Sequence, residues 1–296
     1  EFPELQGVMG GYFAEAQGFD KDISLAIREH YLPIGFDSKT PKKPFSIALA
    51  LSDKLDTLVG FFGINQKPTS SKDPYALRRL ALGLIRLSIE NNKEFKIRDL
   101  INYTLQLYQE QGFEFNNKSV QKDLVEFLTD RLKYYMKEKD VRIDIIDASL
   151  KSFGINQITK IYKKSFVFNK LINKEIGMNI ISSYKRASNI LENELKNKEL
   201  ELSINTDPAL FKNDYEKKLY KKIHELRKYF TSINKDEDYE LTLENLAESK
   251  QVIFDFFDNV KVNDEDKTIQ KNRLELIQML CKTFDNYINF SIIEGV

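Results

Sequence analysis

An all-α fold is what this sequence predicts, and three observations predict it. Apolar residues recur at the 3.6-residue helical period along most of the chain, as at Ile47, Ala48, Leu51, Leu55, Leu58, Val59 and Phe62. No run alternates apolar and polar residues between hairpin turns, as half-buried strands would. Glycine is sparse, 12 of 296 residues, and gathers near 7–18 and 60–63, so most of the chain lacks breaks.

The elements follow in order. A first helix is expected over 12–30. The next covers 44–62, with Pro44 at its start, where a missing N–H leaves no bond unmade. A third covers 73–90: Asp73 suits the N-cap, Pro74 the first turn, and Leu77, Leu80, Ala81, Leu84, Ile85 and Ser88 share one face before Asn91-Asn92 ends it. Further helices fit 97–110, 118–138, 142–152, 156–173, 175–198, 208–231, 239–257 and 267–290. Polar loops are expected at 63–72 and 259–267. The boundary between two domains, 1–152 and 153–296, is placed where Ser152-Phe153-Gly154-Ile155-Asn156 interrupts the helices.

Composition limits the function classes. At 42% hydrophobic and 30% charged the chain reads as a soluble globular protein, long enough for one large or two ordinary domains. No stretch approaches the ~20 apolar residues of a membrane span. The opening Glu1-Phe2-Pro3-Glu4 lacks a Met and any signal-peptide form. It reads as the middle of a domain, so a piece of a longer polypeptide is expected. The single cysteine, Cys281, falls among Leu276, Ile277, Leu280 and Phe284 and is expected to be a buried thiol in a reducing compartment. A cytoplasmic location is the corresponding expectation.

Catalytic signatures are missing from the sequence. It holds no Walker-type phosphate loop, no GxGxxG, no HExxH and no CxxC pair. Of two histidines, His224 sits on a charged helix face. His30 ends a helix, where a ring nitrogen can meet the last carbonyls. Asp53 and Asp56, three apart on a helix, share a face. They would either hold a hard cation or do acid/base work, or else face solvent or pair with Lys54, Arg78 or Arg79. No catalytic and no metal-binding residue is assigned.

Net charge is zero overall but unevenly spread. Residues 155–230 carry 16 Lys and Arg against 9 Asp and Glu, a net of +7; residues 231–296 carry 7 against 14, a net of −7. Such asymmetry signals either a nucleic-acid partner on one face or two helical faces that attract each other.

Several segments together resemble one family. Glu1-Phe2-Pro3-Glu4-Leu5-Gln6-Gly7-Val8-Met9-Gly10 with Tyr12, Ala48 to Gly60 (ALALSDKLDTLVG), Lys72-Asp73-Pro74-Tyr75-Ala76-Leu77-Arg78-Arg79, Tyr184-Lys185-Arg186-Ala187-Ser188-Asn189-Ile190-Leu191, Phe256-Phe257-Asp258-Asn259-Val260-Lys261-Val262 and Asn272-Arg273-Leu274 are similar, in order, to motifs of the bacterial glycyl-tRNA synthetase beta subunit. Lys261 stands where that family usually has Met, which suggests an exposed position. The resemblance implies a region similar to HD domains over 1–152, then a helical-bundle anticodon-binding domain like that of arginyl enzymes over 153–296. It implies glycine tRNA and the alpha subunit as partners, with no membrane. ATP and Mg would be used by the alpha subunit, and no cofactor would be held in this chain. Two alternatives accompany it: a metal-dependent HD-type phosphohydrolase, against which the absence of any His-Asp dipeptide counts, and a helical subunit-interaction module.

Unpaired anticodon bases can stack on aromatic rings and be read at their edges. The basic half supplies material for that. The candidate RNA-binding residues are Lys160, Tyr162, Lys163, Lys164, Lys170, Lys185, Arg186, Asn189, Lys218, Lys221, Lys222 and Arg227, with Lys217, Lys228, Tyr184, Tyr215, Tyr220 and Tyr229 beside them. The acidic half is expected to pack behind this face.

Overall fold

The computed structural model describes residues 2–196, 202–203, 205–232 and 238–294. Among the described residues every regular element is helical, and none is long and apolar enough to cross a membrane. The chain forms two compact units, residues 1–140 with 153–162, and residues 141–152 with 163–296. The end of the expected helix at 175–198, residues 197–198, and Glu1 of the N-terminal motif lie outside the described residues.

The first unit contains α1 (Val8–Ala16), α2 (Lys21–Glu29), α3 (Pro44–Gly63), α4 (Leu77–Glu90), α5 (Ile97–Glu110) and α6 (Asn117–Lys137). The single helix expected over 12–30 is two. Gly18 takes φ 79°, a left-handed backbone that glycine adopts without steric cost, and Asp20 then caps α2 by accepting from the Asp22 N–H at 2.7 Å. At α2's other end His30 Nδ1 lies 2.6 Å from the Ile27 carbonyl, the cap contact expected of it.

Helix α4 starts four residues later than expected. Asp73 to Ala76 close a turn, with Ala76 N–H bonded to the Asp73 carbonyl at 3.1 Å and Ala76 at φ 53°. Asp73 still caps the helix from a distance: its carboxylate accepts the N–H groups of Leu77 at 2.8 Å and Arg78 at 2.9 Å. Leu58 and Val59 of α3, Leu84 and Leu87 of α4 and Leu124, Leu128 and Leu132 of α6 are fully buried and form the core. Among them lies Lys54, also buried, whose ammonium donates to the His30 carbonyl at 3.1 Å; burial pulls it down to about 8.

The second unit contains α7 (Ile143–Phe153) up to Ser152, the larger part of α8 (Ile158–Leu171), α9 (Glu175–Leu195), α10 (Asp214–Ser232), α11 (Tyr239–Ala247), α12 (Lys250–Asn259) and α13 (Lys267–Phe284). The turn from α8 to α9 requires Gly177, where a Cβ would collide with the Leu171 carbonyl. The helix expected over 239–257 breaks at Ser249, whose hydroxyl donates to the Leu246 carbonyl at 2.5 Å. The one expected over 267–290 stops at Phe284, and Phe290 folds back with Phe168, Tyr184, Phe284 and Tyr287 into an aromatic core. Helix α13 packs on α9 and α10, and its Cys281 is buried as expected.

Candidate nucleic-acid interface

Helix α10 is amphipathic in a way that decides its exposed chemistry. Leu219, Ile223 and Leu226 are buried on one stripe, and Glu216 continues that stripe one turn earlier. The Glu216 carboxylate is completely enclosed. It accepts the backbone N–H of Lys212 at 2.7 Å and of Asn213 at 3.0 Å, and pairs with Arg273 of α13 at 2.7 Å. Arg273 also reaches Asp264 at 2.6 Å and the Lys261 carbonyl at 2.9 Å. Next to it, Asn272 exchanges two hydrogen bonds with the Asp207 backbone, at 2.7 and 3.0 Å. The Asn272-Arg273-Leu274 motif therefore fixes both the entry and the first turn of α10. Breaking such an enclosed pair leaves an uncompensated buried charge, which costs about 3–5 kcal/mol.

With that stripe held inward, Lys217, Lys218, Lys221, Arg227 and Lys228 are exposed, and Lys222 is half-buried. Their neutralisation is slight. Lys217 pairs with Asp214 at 3.2 Å, and Lys221 touches Glu225 loosely at 4.0 Å. His224 is exposed on the same helix, its ring 4.3 Å from that of Tyr220, as a solvated position would be. Tyr215, Tyr220 and Tyr229 are half-buried, each beside the basic face.

The other candidates are placed less uniformly. On α9, Lys185 is half-buried and Asn189 exposed, while Arg186 lies over the rings of Phe254 and Phe257 and pairs with Asp258 at 2.5 Å. On α8, Lys170 is exposed and covers the Phe166 ring, and Lys163 is half-buried. Lys164 departs from the expectation. It is 5% exposed, and its ammonium donates to the carbonyls of Asn286 and Tyr287, both at 3.1 Å, so it closes the core instead of facing a phosphate. Tyr184 is also internal: it is buried and bonds Asp285 at 3.3 Å. Burial raises the Tyr184 phenol far above its usual range and the Asp285 carboxyl to about 6. Lys160 and Tyr162 belong to the first unit. There the Lys160 N–H meets Glu94 at 2.7 Å and the Tyr162 ring packs 6.0 Å from Tyr135. The expected cluster is thus reduced, within the second unit, to the face of α10 and exposed positions of α8 and α9.

Asp53 and Asp56 engage neither arginine proposed for them. Arg78 turns to Asp73 and Arg79 to the Tyr31 hydroxyl at 2.8 Å, while Lys54 points inward to His30. Asp56 is exposed, and its backbone carbonyl accepts from Tyr108 at 3.1 Å. Among the described residues no group of three or more His, Cys, Asp or Glu side chains is placed to hold a metal. Lys261 is exposed, as its replacement of an apolar residue suggested.

Comparison with known proteins decides the family. A family model described as glycyl-tRNA synthetase beta subunit matches residues 1–151, and one described as a DALR anticodon binding domain matches residues 180–293. The chain belongs to the glycyl-tRNA synthetase beta subunit family. Similar proteins include the glycine--tRNA ligase beta subunits of Cereibacter sphaeroides, 34% identical over 295 residues, and of Rickettsia africae, 38% identical over 291 residues. That of Rickettsia typhi is 36% identical over 290 residues. The match takes in 98–100% of this chain but only 41–42% of each relative, so the chain spans about two fifths of the family proteins it matches. The DALR match contains α10, and with it the exposed basic face.

Proposed function

We propose that this chain is the tRNA-binding part of a glycine--tRNA ligase beta subunit, acting in the cytoplasm, and that the basic face of α10 meets the anticodon arm. The observation that carries this reading is a coincidence of position. The anticodon-binding match over 180–293 contains α10, a helix whose closely spaced cations are mostly exposed and little neutralised. Lysines there would hold phosphates, the half-buried tyrosines would offer ring faces to unpaired bases, and Asn189 and Arg186 would read base edges. Residues 1–152 are assigned to the HD-like region and 153–296 to the anticodon-binding domain, with 141–152 and 153–162 exchanged between the two compact units. Glycine activation with ATP and Mg falls to the separate alpha subunit, and this chain positions the tRNA.

Contact with the alpha subunit is a second role. It is favoured by large apolar side chains left open in the first unit, Phe13 at 61% and Phe45 at 62% exposure. The RNA reading is tested by titrating the chain with glycine tRNA and with the same tRNA carrying a changed anticodon, at one fixed salt concentration. Tighter binding of the unaltered tRNA is expected. Equal binding of both, abolished by salt, would leave only phosphate attraction.

A further inference from the structure

Three arginines of the first unit converge on one cavity with a single, distant carboxylate, Asp73, near them. Arg78 and Arg79 of α4 and Arg131 of α6 line a cavity of about 310 Å³ together with Gly35, Leu82 and Tyr134. Two other arginines of this unit are matched at short range: Arg86 has Glu90 at 2.6 Å and Arg28 has Glu15 at 3.3 Å. Among the described residues no carboxylate lines the cavity. Asp73 comes to 3.8 Å of Arg78, but both its oxygens already accept the α4 N–H groups of Leu77 and Arg78, and the Arg78 guanidinium otherwise donates to a neutral acceptor, the Thr69 carbonyl. Arg79 donates to a neutral partner, the Tyr31 hydroxyl. Arg131 has no ion pair among the described residues, and its Nε is buried with no hydrogen-bond acceptor. Its guanidinium lies 5.9 Å from the centre of the Phe127 ring and 5.5 Å from that of Tyr134.

Positive charge gathered in one concavity is disfavoured unless something neutralises it, and planar guanidinium forks match the oxygens of phosphate. The cavity wall is also fixed in place. Arg86 donates to the carbonyls of Gly35 and Ser38 and so ties the loop carrying Gly35 to α4. The two rings beside Arg131 limit the freedom of its fork. We propose that the cavity formed by Arg78, Arg79 and Arg131 binds a phosphate group, carried either by an RNA backbone or by a free polyphosphate. Tyr134, 47% exposed, stands at its rim with a hydroxyl to offer. This site is independent of the anticodon reading, because its residues all belong to the first unit and a free polyphosphate would fill it equally well.

The test uses inorganic pyrophosphate and glycine tRNA as probes in calorimetric titrations of the full chain. It compares the unaltered protein with Arg79→Gln, an exposed position, and with Arg131→Gln and Arg131→Lys, each checked for an unchanged melting curve. Pyrophosphate is expected to bind the unaltered protein. Affinity should fall at least tenfold in Arg79→Gln and Arg131→Gln and less in Arg131→Lys, which keeps the charge and loses the fork. If tRNA displaces pyrophosphate, and the salt dependence of tRNA binding becomes shallower by about one unit per arginine removed, the phosphate is that of RNA. If pyrophosphate binds and tRNA does not displace it, the ligand is a free polyphosphate. Absence of pyrophosphate binding together with an unchanged salt dependence of tRNA binding in both glutamine variants would overturn the proposal.

Discussion

Helices α8 and α10 look alike as sequence, each interleaving lysines with tyrosines and apolar residues, yet their cations meet different fates. In α8 the buried stripe runs through Ile161, Lys164, Ser165, Phe168 and Leu171, and Lys164 lies within it. Its ammonium is bound to two backbone carbonyls of the segment after α13, and the Tyr287 hydroxyl returns a bond to the Lys164 carbonyl at 3.1 Å. In α10 the stripe runs through Glu216, Leu219, Ile223 and Leu226, and the lysines stand off it. The difference teaches that a basic run becomes a surface only where its phase differs from that of the apolar stripe. A charged residue caught in the stripe becomes an internal tie.

The largest effect that would break this contrast is at Lys164. Replacing it with Met leaves the Asn286 and Tyr287 carbonyls without their donor, and about 1–3 kcal/mol of stability should be lost. A lower urea midpoint measures this; an unchanged midpoint would mean that the two bonds contribute nothing. Lys221→Gln on α10 should stay within about 0.5 kcal/mol by the same assay.

A smaller effect sharpens the same contrast through pH. Burial raises the Asp285 carboxyl to about 6, above its unfolded value, so between about pH 4 and 6 the folded state holds more protons than the unfolded one. Its contribution to stability is full below pH 4 and is lost as pH rises through 6. In Asp285→Asn, which keeps an oxygen to accept from the Phe290 N–H, this fall across pH 4–6 should vanish, as followed by thermal melts at stepped pH. An identical slope in the variant would remove Asp285 as its source.

Much of this was legible in the residues. Pro44 at the head of α3, and the matching limits of α5, follow from period and capping alone. The helix breaks were harder to see. Gly18 and Asp20 carry the signals of a stop and a start only two residues apart, and Ser249 ends α11 with a side-chain bond to its own backbone. The RNA candidates were chosen by charge and aromatic neighbours, and Lys164, three residues after Ile161 and four before Phe168, was already marked as internal by the helical period. Lys54, between Leu51 and Leu58, carries the same mark. What the sequence did not show is the arginine cavity of the first unit. Arg131 is more than fifty residues from Arg78, and only the packing of α6 on α4 brings them to one place.

The most direct test is the salt dependence of glycine tRNA binding to the chain with Lys218→Gln, Lys221→Gln and Arg227→Gln combined. If α10 presents its cations to RNA, affinity should fall at every salt concentration and the log–log slope should become shallower by about 2–3 units. A slope equal to that of the unaltered chain, with the fold intact, would contradict an RNA-facing α10.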